Sequence, residues 1–218
     1  EQIKFAMDYY KENGYPPYCL AISEPEAVSD NQGMECLATR TGDGKVHING
    51  VKTWVTQGEH VDGFIVVCKD EDPSRENKDM SMYLVPANAP GVTIEPLNKI
   101  GMQIMPFAMI HFDDVVIDET DLLGIQGKGF YQLMKNFEWE RCVLLAELLG
   151  EAQAAMDDAC AWTNERQQFG KGIKTFQLVQ EHIVEMQIEL TNTRNFLYRT
   201  CWKMDNGIPV NNDAAMLK

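Results

Sequence analysis

Several features are scarce in this chain of 218 residues, and each absence excludes a class of protein. No apolar run approaches the length of a membrane span, and residues 1–12 lack the layout of a secretory signal, so we expect no membrane association. Cations are few, since 19 Lys and Arg stand against 33 Asp and Glu, giving a formal net charge of −14. Because nucleic acids are bound through clustered cations, nucleic acid is not an expected partner.

Metal and disulfide motifs are also sparse. The six cysteines include no Cys-x-x-Cys spacing, and the four histidines lie far apart in the sequence. We therefore expect no metal site, and reduced thiols in a cytoplasmic compartment, or in the mitochondrial matrix of a eukaryote. What is present is an ordinary globular composition, with 44% hydrophobic and 24% charged residues, so the chain can bury a sizeable core.

The hydrophobic pattern divides the chain into three parts and predicts an α+β multidomain fragment. Residues 1–17 have helical spacing until Pro16-Pro17 and are expected to end an N-terminal helical domain. Residues 18–122 carry many short β-type runs, which predict an antiparallel β-sandwich or barrel. Residues 123–218 change to a helical period, which predicts part of an up-down four-helix bundle.

Turn residues set the expected boundaries within the β-type region. Asp43-Gly44 and Asn49-Gly50 supply the positive φ that tight hairpins require, so each predicts a turn between strands. The polar residues 73–79 predict a connection without regular structure. The candidate strands are 18–22, 34–41, 45–49, 52–56, 64–68, 81–85, 92–96 and 107–112.

Two long helices and a short third one are predicted in the last part. The first runs to about Asn164, the second begins near Phe176, and Asn206-Gly207 ends it. Asn212-Asp213 then starts a new helix close to the end of the chain. Two helices and a short third one do not close a bundle, so we expect this chain alone to be inactive and to need further chain or another subunit.

Residues 50–58, Gly-Val-Lys-Thr-Trp-Val-Thr-Gln-Gly, present an indole, a backbone amide and a hydroxyl in succession along a strand. That order suits a flat ring with a polar edge, such as a flavin. Taken alone, the segment is also consistent with a hairpin strand that carries a core tryptophan. Residues 22–30, Ile-Ser-Glu-Pro-Glu-Ala-Val-Ser-Asp, and residues 165–170, Glu-Arg-Gln-Gln-Phe-Gly, form two further motifs.

In their order along the chain, residues 22–30, 50–58 and 165–170, the three motifs resemble those of flavin-dependent acyl-CoA dehydrogenases. That family repeats Gly-x-Lys-x-Trp/Phe-Ile/Val-Thr-x-Gly, Thr-Glu-Pro-Gly-Ala-Gly-Ser-Asp and Glu-Arg-x-x-Phe-Gly. The resemblance implies FAD as the cofactor. It also implies these cofactor contacts: Leu20, Ile22, Ser23, Ser29, Trp54, Val55, Thr56, Arg166, Phe169, Phe176 and Gln177. Glu26 and Val28 depart from the pattern, because they replace glycines that let backbone amides approach phosphate.

Residues 137–141, Phe-Glu-Trp-Glu-Arg, correspond to a helix that lines the substrate cavity in that family. The resemblance implies that Glu140, immediately before Arg141, is the catalytic base, as in a minority of the family. It also implies that Ser29, Glu138 and Arg141 contact the substrate. Without the resemblance, the segment is a solvated helix face on which Glu138 and Arg141 form a weak ion pair.

The function implied by the resemblance is oxidation of an acyl-CoA thioester, by removal of an α-proton and transfer of a β-hydride to flavin N5, or the reverse reduction of an enoyl-CoA. An electron-transfer flavoprotein and a homo-oligomer, built as a dimer of dimers, are the implied partners. Residues 202–207 and 213–216 are most similar to the crotonobetainyl-CoA reductase branch of carnitine metabolism. Two alternatives stay open: an acyl-CoA oxidase of the same fold, and a non-catalytic binding or assembly protein with a decayed site.

Overall fold

The computed structural model describes residues 2–71 and 79–218. The helices are α1 Gln2–Asn13, α2 Gly129–Glu165, α3 Gln177–Asp205 and α4 Asn211–Leu217. The strands are β1 Tyr18–Ala21, β2 Leu37–Arg40, β3 Lys45–Thr56, β4 Gly63–Glu71, β5 Met80–Pro86, β6 Val92–Leu97, β7 Phe107–Asp118, β8 Leu122–Leu123, β9 Gln167–Gln168 and β10 Lys171–Gly172. The predicted connection at 73–79 lies outside the described residues except for Asp79. The chain forms two compact units, residues 1–132 and 133–218.

One eight-stranded sheet organises the first unit. Its strand order is β6-β7-β3-β2-β4-β5-β8, and β1 pairs with β4. Most neighbours are antiparallel, but β1 and β2 both run parallel to β4, with β1 beside residues 63–66 and β2 beside residues 69–71. The predicted β-domain followed by helices is therefore confirmed, with two parallel pairs that the hairpin-based prediction did not include.

Alternating burial fixes the register of the two longest strands. Val46 and Ile48 of β3 are fully buried, and they stand opposite Ile117 and Val115 of β7. A one-residue slip would move these side chains to the opposite face, so the buried face specifies the pairing. The core of the unit contains Cys19, Ala21, Cys36, Ala38, Val46, Ile48, Val55, Val61, Phe64, Val66, Cys68, Tyr83, Val85, Ala108, Ile110, Phe112, Val115 and Ile117.

The two dipeptides predicted as hairpin turns behave differently. Gly44, with a φ of +86°, lies in the turn between β2 and β3, as predicted. The prediction of a turn at Asn49-Gly50 is wrong, because β3 continues through both residues. Gly50 has a φ of +145°, and a Cβ there would lie 2.7 Å from Cys36 Cα. Glycine is used at this position for close approach of two backbones within a sheet, not for a turn.

The second unit consists of the remainder of α2 with α3, α4 and the short β9–β10 hairpin. The predicted boundaries of the two long helices and the short helix at the end are confirmed. Their shared core contains Cys142, Leu149, Met156, Leu190, Leu197, Ala214 and Leu217. Other apolar residues of α2 remain exposed, among them Val143 and Leu148. In the part of the chain that the structure describes, no helix combines the length and the apolar character needed to cross a membrane.

Candidate active site

A β-bulge shapes the strand segment that carries Trp54. Lys52 pairs with Ile110 and Val55 pairs with Ala108, so two residues of β3 stand opposite one residue of β7. The extra residue bends the strand and redirects its side chains. Trp54 has a left-handed φ of +57° and its side chain is 55% exposed, whereas Val55 returns to the core. The sequence-based alternative of a core tryptophan at this position is therefore wrong.

The bulge also brings two of the sequence motifs together. The amide of Thr53 donates a hydrogen bond of 2.8 Å to the carbonyl oxygen of Ser23. Ser23 precedes the bulge in the sequence and Thr56 follows it, and both residues are partly exposed. Ser23 and the buried Thr53, which are 30 positions apart in the sequence, are thus neighbours in the first unit. Leu20 and Ile22, also predicted to contact the cofactor, lie at the end of β1 and just after it.

A buried ion pair lies directly behind this region, and sequence reasoning missed it. Lys52 Nζ donates to Glu24 Oε1 at 2.7 Å and to the carbonyl oxygen of Ile22 at 2.9 Å. The side chains of Lys52 and Glu24 are 0% and 6% exposed. The amides of Glu35 and Cys36 donate to the same carboxylate at 2.6 and 3.0 Å. The alternation of side chains along β3 could have indicated it. Lys52 falls on the inward face of the strand with Val46 and Ile48, where a cation needs a buried counter-charge.

Two residues that replace family glycines are accommodated without strain. Glu26 and Val28 are both exposed, and neither is among the described residues with a positive φ. Reciprocal hydrogen bonds between the backbones of Glu24 and Ala27 close the turn that contains Glu26. Ser29 is exposed, just before the Asp30 side chain that accepts hydrogen bonds from the next turn. The loop therefore keeps a defined conformation despite both substitutions.

The residues around the bulge fit a flavin ring. A half-exposed aromatic side chain on a strained backbone is costly for folding alone, and such strain is concentrated at functional sites. The indole of Trp54 offers a flat apolar surface. Hydroxyl groups at Ser23 and Thr56 and the backbone of Val55 offer hydrogen-bonding groups for a polar ring edge. No part of this arrangement conflicts with an isoalloxazine.

The predicted catalytic segment lies on α2 and is open to solvent. Glu140 is exposed, and no described residue pairs with its carboxylate. Glu138 and Arg141 are partly exposed, and no ion pair joins them among the described residues. Instead, the guanidinium carbon of Arg141 lies 5.9 Å from the centre of the Phe137 ring. The weak Glu138–Arg141 pair considered in the sequence is absent, so both charges remain available to a ligand.

The third motif forms the tip of a small hairpin in the second unit. Phe169 and Gly170 make the two-residue loop between β9 and β10, with φ values of +54° and +74°. Two left-handed residues in succession are typical of a type I′ turn, for which phenylalanine is an unfavourable first residue. The Phe169 side chain is 91% exposed.

Aromatic and cationic groups surround this tip. The rings of Phe169 and Phe176 meet edge to face at 6.2 Å, and Lys171 Nζ lies 4.5 Å from the centre of the Phe176 ring. The side chains of Arg166 and Gln177 are exposed nearby in the sequence. Sequence reasoning missed Lys171, whose only signal was its position after the motif. A cation, a guanidinium and two aromatic rings are groups that suit a diphosphate and an adenine.

Metal chemistry has no evident place in the described ranges. Within residues 2–71 and 79–218, no group of three or more His, Cys, Asp or Glu side chains could hold an ion. All six cysteines are free thiols. Burial raises the pKa of the Cys19 thiol to about 12, so that thiol remains protonated at neutral pH.

Comparison with known proteins accounts for nearly all of the chain. The family model described as acyl-CoA dehydrogenase, middle domain, matches residues 19–115. The model described as acyl-CoA dehydrogenase, C-terminal domain, matches residues 127–218. The two matches correspond to the β-sheet unit and to the helices in turn. The chain belongs to the acyl-CoA dehydrogenase family.

Individual relatives agree with this assignment. A curated relative in Escherichia coli strain K12, named probable acyl-CoA dehydrogenase YdiO, is 35% identical over all 218 residues, which span 57% of its length. The crystal structure of acyl-CoA dehydrogenase from Slackia heliotrinireducens is 36% identical with a TM-score of 0.82, and the match covers 99% of this chain and 54% of that one. Butyryl-CoA dehydrogenase from Megasphaera elsdenii is 30% identical with a TM-score of 0.85, over 92% and 52% of the two chains.

Proposed function

We propose that this protein is a flavin-dependent oxidoreductase of acyl-CoA thioesters, or of enoyl-CoA thioesters in the reverse direction. The observation that carries the proposal is the backbone hydrogen bond from Thr53 to Ser23, which joins the Ser23 loop to the bulge at Trp54. Two motifs of the family, distant in sequence, form one surface with a displayed aromatic ring. The assignment of residues 1–17, 18–122 and 123–218 to an N-terminal remnant, a flavin-binding domain and a helical domain is part of the same proposal.

The β-sheet unit holds the isoalloxazine in this proposal. Trp54 packs against the ring, and the backbone of Val55 and the hydroxyl of Thr56 bind its polar edge. Ser23, with the backbones of Leu20 and Ile22, binds the pyrimidine side, and Ser29 contributes near the phosphates and the thioester. When bound, FAD supplies the acceptor for the β-hydride of the substrate.

The second unit supplies the base and the remaining contacts. A carboxylate oxygen of Glu140 removes the α-proton of the thioester, and the open, unpaired state of this side chain supports that role. A positioned base of this kind contributes about 10²–10⁴-fold to a reaction rate. Glu138 and Arg141 contact the substrate, since neither charge is neutralised by the other.

The hairpin tip binds the other half of the cofactor, in a neighbouring subunit. Arg166 and Phe169 reach the diphosphate, and Phe176 and Gln177 contact the adenosine half. The 91% exposure of Phe169 supports a role in binding outside its own unit, because most of its surface stays open although its ring meets Phe176 at an edge and its backbone is left-handed. This role requires at least a homodimer, and we propose a dimer of dimers. It is also supported by the exposed apolar residues of α2.

An electron-transfer flavoprotein is the proposed redox partner, and the reducing cytoplasm the proposed compartment. The experiment is an anaerobic thioester panel on the whole protein, in which bleaching of the visible flavin band is followed. The panel includes saturated acyl-CoA of several lengths, and crotonobetainyl-CoA added to the dithionite-reduced protein. Bleaching by a saturated thioester, or reoxidation by an enoyl thioester, supports the proposal.

Two other outcomes separate the alternatives. Stoichiometric peroxide on admission of oxygen during turnover identifies an acyl-CoA oxidase. A whole protein that is colourless and takes up no added FAD identifies a non-catalytic member of the family, and the proposal is then wrong.

A further inference from the structure

We propose that the buried pair of Glu24 and Lys52 is a positioning clamp for the flavin. It fixes the loop of residues 22–24 against the bulge at residues 53–54, and so sets how tightly and in what orientation FAD is held. This inference rests on the proposed function for the identity of the ligand. The clamp residues themselves are not proposed to touch the cofactor.

Every polar contact of the clamp ties the loop to its surroundings. Lys52 Nζ holds the carbonyl of Ile22 and the carboxylate of Glu24, and the amide of the next strand residue, Thr53, holds the carbonyl of Ser23. Two consecutive strand residues therefore bind three consecutive loop residues. Displacing the loop would break contacts at each of its positions.

The other side of the carboxylate fixes the loop to a second segment. The Glu35 amide donates to Glu24 Oε2, and the Cys36 amide donates to Glu24 Oε1, both from the residues just before β2. Glu24 thus accepts one charged and two backbone hydrogen bonds within a nearly dry environment. Fully satisfied buried networks of this kind specify one arrangement of the chain.

Stability alone does not explain a charged pair at this position. Val46 and Ile48 occupy the same face of β3 as Lys52 and are fully buried apolar residues. Replacing a buried ion pair with apolar residues of similar volume is often neutral or stabilising, because the desolvation of both charges is avoided. What an apolar pair could not provide is the set of directed contacts to the loop.

The strained residue beside the clamp gives a second, independent reason. The left-handed Trp54, with its φ of +57°, persists only if the surrounding structure over-determines it. The Thr53 amide points to Ser23 at the bulge, and Lys52 immediately precedes it with its side chain fully buried. The clamp therefore holds the residues before the indole, and with them the relative positions of Ser23 and Trp54.

The test compares FAD affinity with folding stability in the whole protein. Lys52→Met leaves a buried carboxylate unpaired and is expected to lower stability as well as affinity. The double variant Glu24→Gln/Lys52→Met removes both charges at similar volume. We expect it to melt above Lys52→Met, because no charge is left buried without its partner. We expect it to bind FAD at least about 10-fold more weakly than the wild type, because the ordering of the loop must then be paid for on binding.

Two further variants complete the design. Lys45→Met on the same strand breaks the exposed ion pair with Asp118, which measures 2.5 Å, and is expected to bind FAD as the wild type does. Glu24→Gln alone is nearly isosteric, but its amide nitrogen would meet backbone donors, so we expect weaker FAD binding and an altered visible circular dichroism of the bound flavin. These readouts do not depend on turnover.

The outcomes are distinguishable. Weak FAD binding by Glu24→Gln or by the double variant, with Lys45→Met unaffected, supports the clamp. If both Glu24→Gln and the double variant bind FAD with wild-type affinity and dichroism, the clamp is overturned and the proposed function stands. If the wild type binds no FAD under any condition, the proposed function is overturned, and the clamp proposal with it.

Discussion

The two units of this chain present their candidate site residues in opposite ways. In the β-sheet unit, Ser23, Thr53 and Trp54 are held by a bulge, a backbone hydrogen bond and a buried ion pair. In the helical unit, Glu140 and Phe169 are exposed and have no fixed polar partner among the described residues. The comparison indicates that the first unit pre-organises its site by itself. The second unit presents exposed groups, whose proposed partners are ligands or other chains.

The largest expected effect concerns the exposed carboxylate of α2. Glu140→Gln in the whole protein is expected to reduce kcat about 10²–10⁴-fold while the flavin content stays normal, because only the base is lost. Glu147→Gln, another exposed position on the same helix, serves as the control and should retain wild-type turnover. Near-normal turnover of Glu140→Gln would show that the base is elsewhere.

A pair of neighbouring leucines tests how incomplete the helical core is. Leu149 is 8% exposed and Leu148 is 58% exposed on the same turn of α2. Leu149→Ala is expected to lower the free energy of unfolding by about 2–5 kcal/mol. Leu148→Ala should change it by less than about 0.5 kcal/mol in dilute, dissociated protein. Urea denaturation followed by the helical circular dichroism measures both.

The same two leucine variants can also contradict the view that the helical unit leaves an apolar face open. Equal losses from the two leucine variants would mean that the face around Leu148 is already buried. If the exposed face is an oligomer contact, Leu148→Ala should instead shift sedimentation toward smaller species at high concentration.

Strain at the bulge offers a sharper test on the β-sheet side. A left-handed residue other than glycine costs about 1–2 kcal/mol. In the flavin-free protein, Trp54→Gly is therefore expected to unfold at higher urea than Trp54→Ala, by about 1 kcal/mol in free energy. Both variants should lose FAD affinity, whereas Trp54→Phe keeps an aromatic surface and should retain much of it. A Gly variant no more stable than the Ala variant would show that residue 54 carries no strain.

The smallest expected effect is a loss of stability of the helical unit at acid pH. Lys203 Nζ donates to both carboxylate oxygens of Asp213 at 2.8 and 2.9 Å, and this contact lowers the pKa of Asp213 below its usual 3.8. A carboxyl group with a lowered pKa stabilises the fold above its ordinary pKa, and the contribution is lost as pH falls through the lowered value.

We therefore expect the attachment of α4 to α3 to weaken only below about pH 4. Asp213→Asn should remove this acid dependence, as measured by melting curves of the protein across the acid range. Asp158→Asn, at an exposed position of α2, is the control and should leave the dependence in place. A melting temperature of the wild type that is equally sensitive to pH near neutrality would contradict the assignment.

Local chemistry and hydrophobic period allowed much of the fold to be predicted. The two long helices and the Asp43-Gly44 turn depend on signals within a few residues, and they were predicted correctly. Asn49-Gly50 carries the same local signal as a hairpin turn, yet its glycine serves close packing against Cys36. That distinction is made by a segment 14 residues away, so the dipeptide alone could not reveal it.

The candidate site shows the same division between local and distant information. The motifs identified Ser23 and Trp54, but not the Glu24–Lys52 pair that holds them. Lys52 and Glu24 stand at the Lys of Gly-x-Lys-x-Trp and the Glu of Thr-Glu-Pro, but neither motif pairs the two residues, and Lys52 is otherwise distinguished by lying on the same face of β3 as Val46 and Ile48. Its partner could not be chosen from sequence, because the choice depends on which loop the strand meets in space. The bulge was likewise hidden, since it is a local shift in register between β3 and β7, and the sequence of one strand does not show how it pairs with the other.

The central claim is that the surface formed by the Ser23 loop and the Trp54 bulge binds a flavin ring. The most direct measurement is a crystal structure of the whole protein grown with FAD. The account predicts the isoalloxazine against the indole of Trp54, with its polar edge at Val55 and Thr56. Flavin density at another surface, with the Trp54 indole left in solvent, would contradict it.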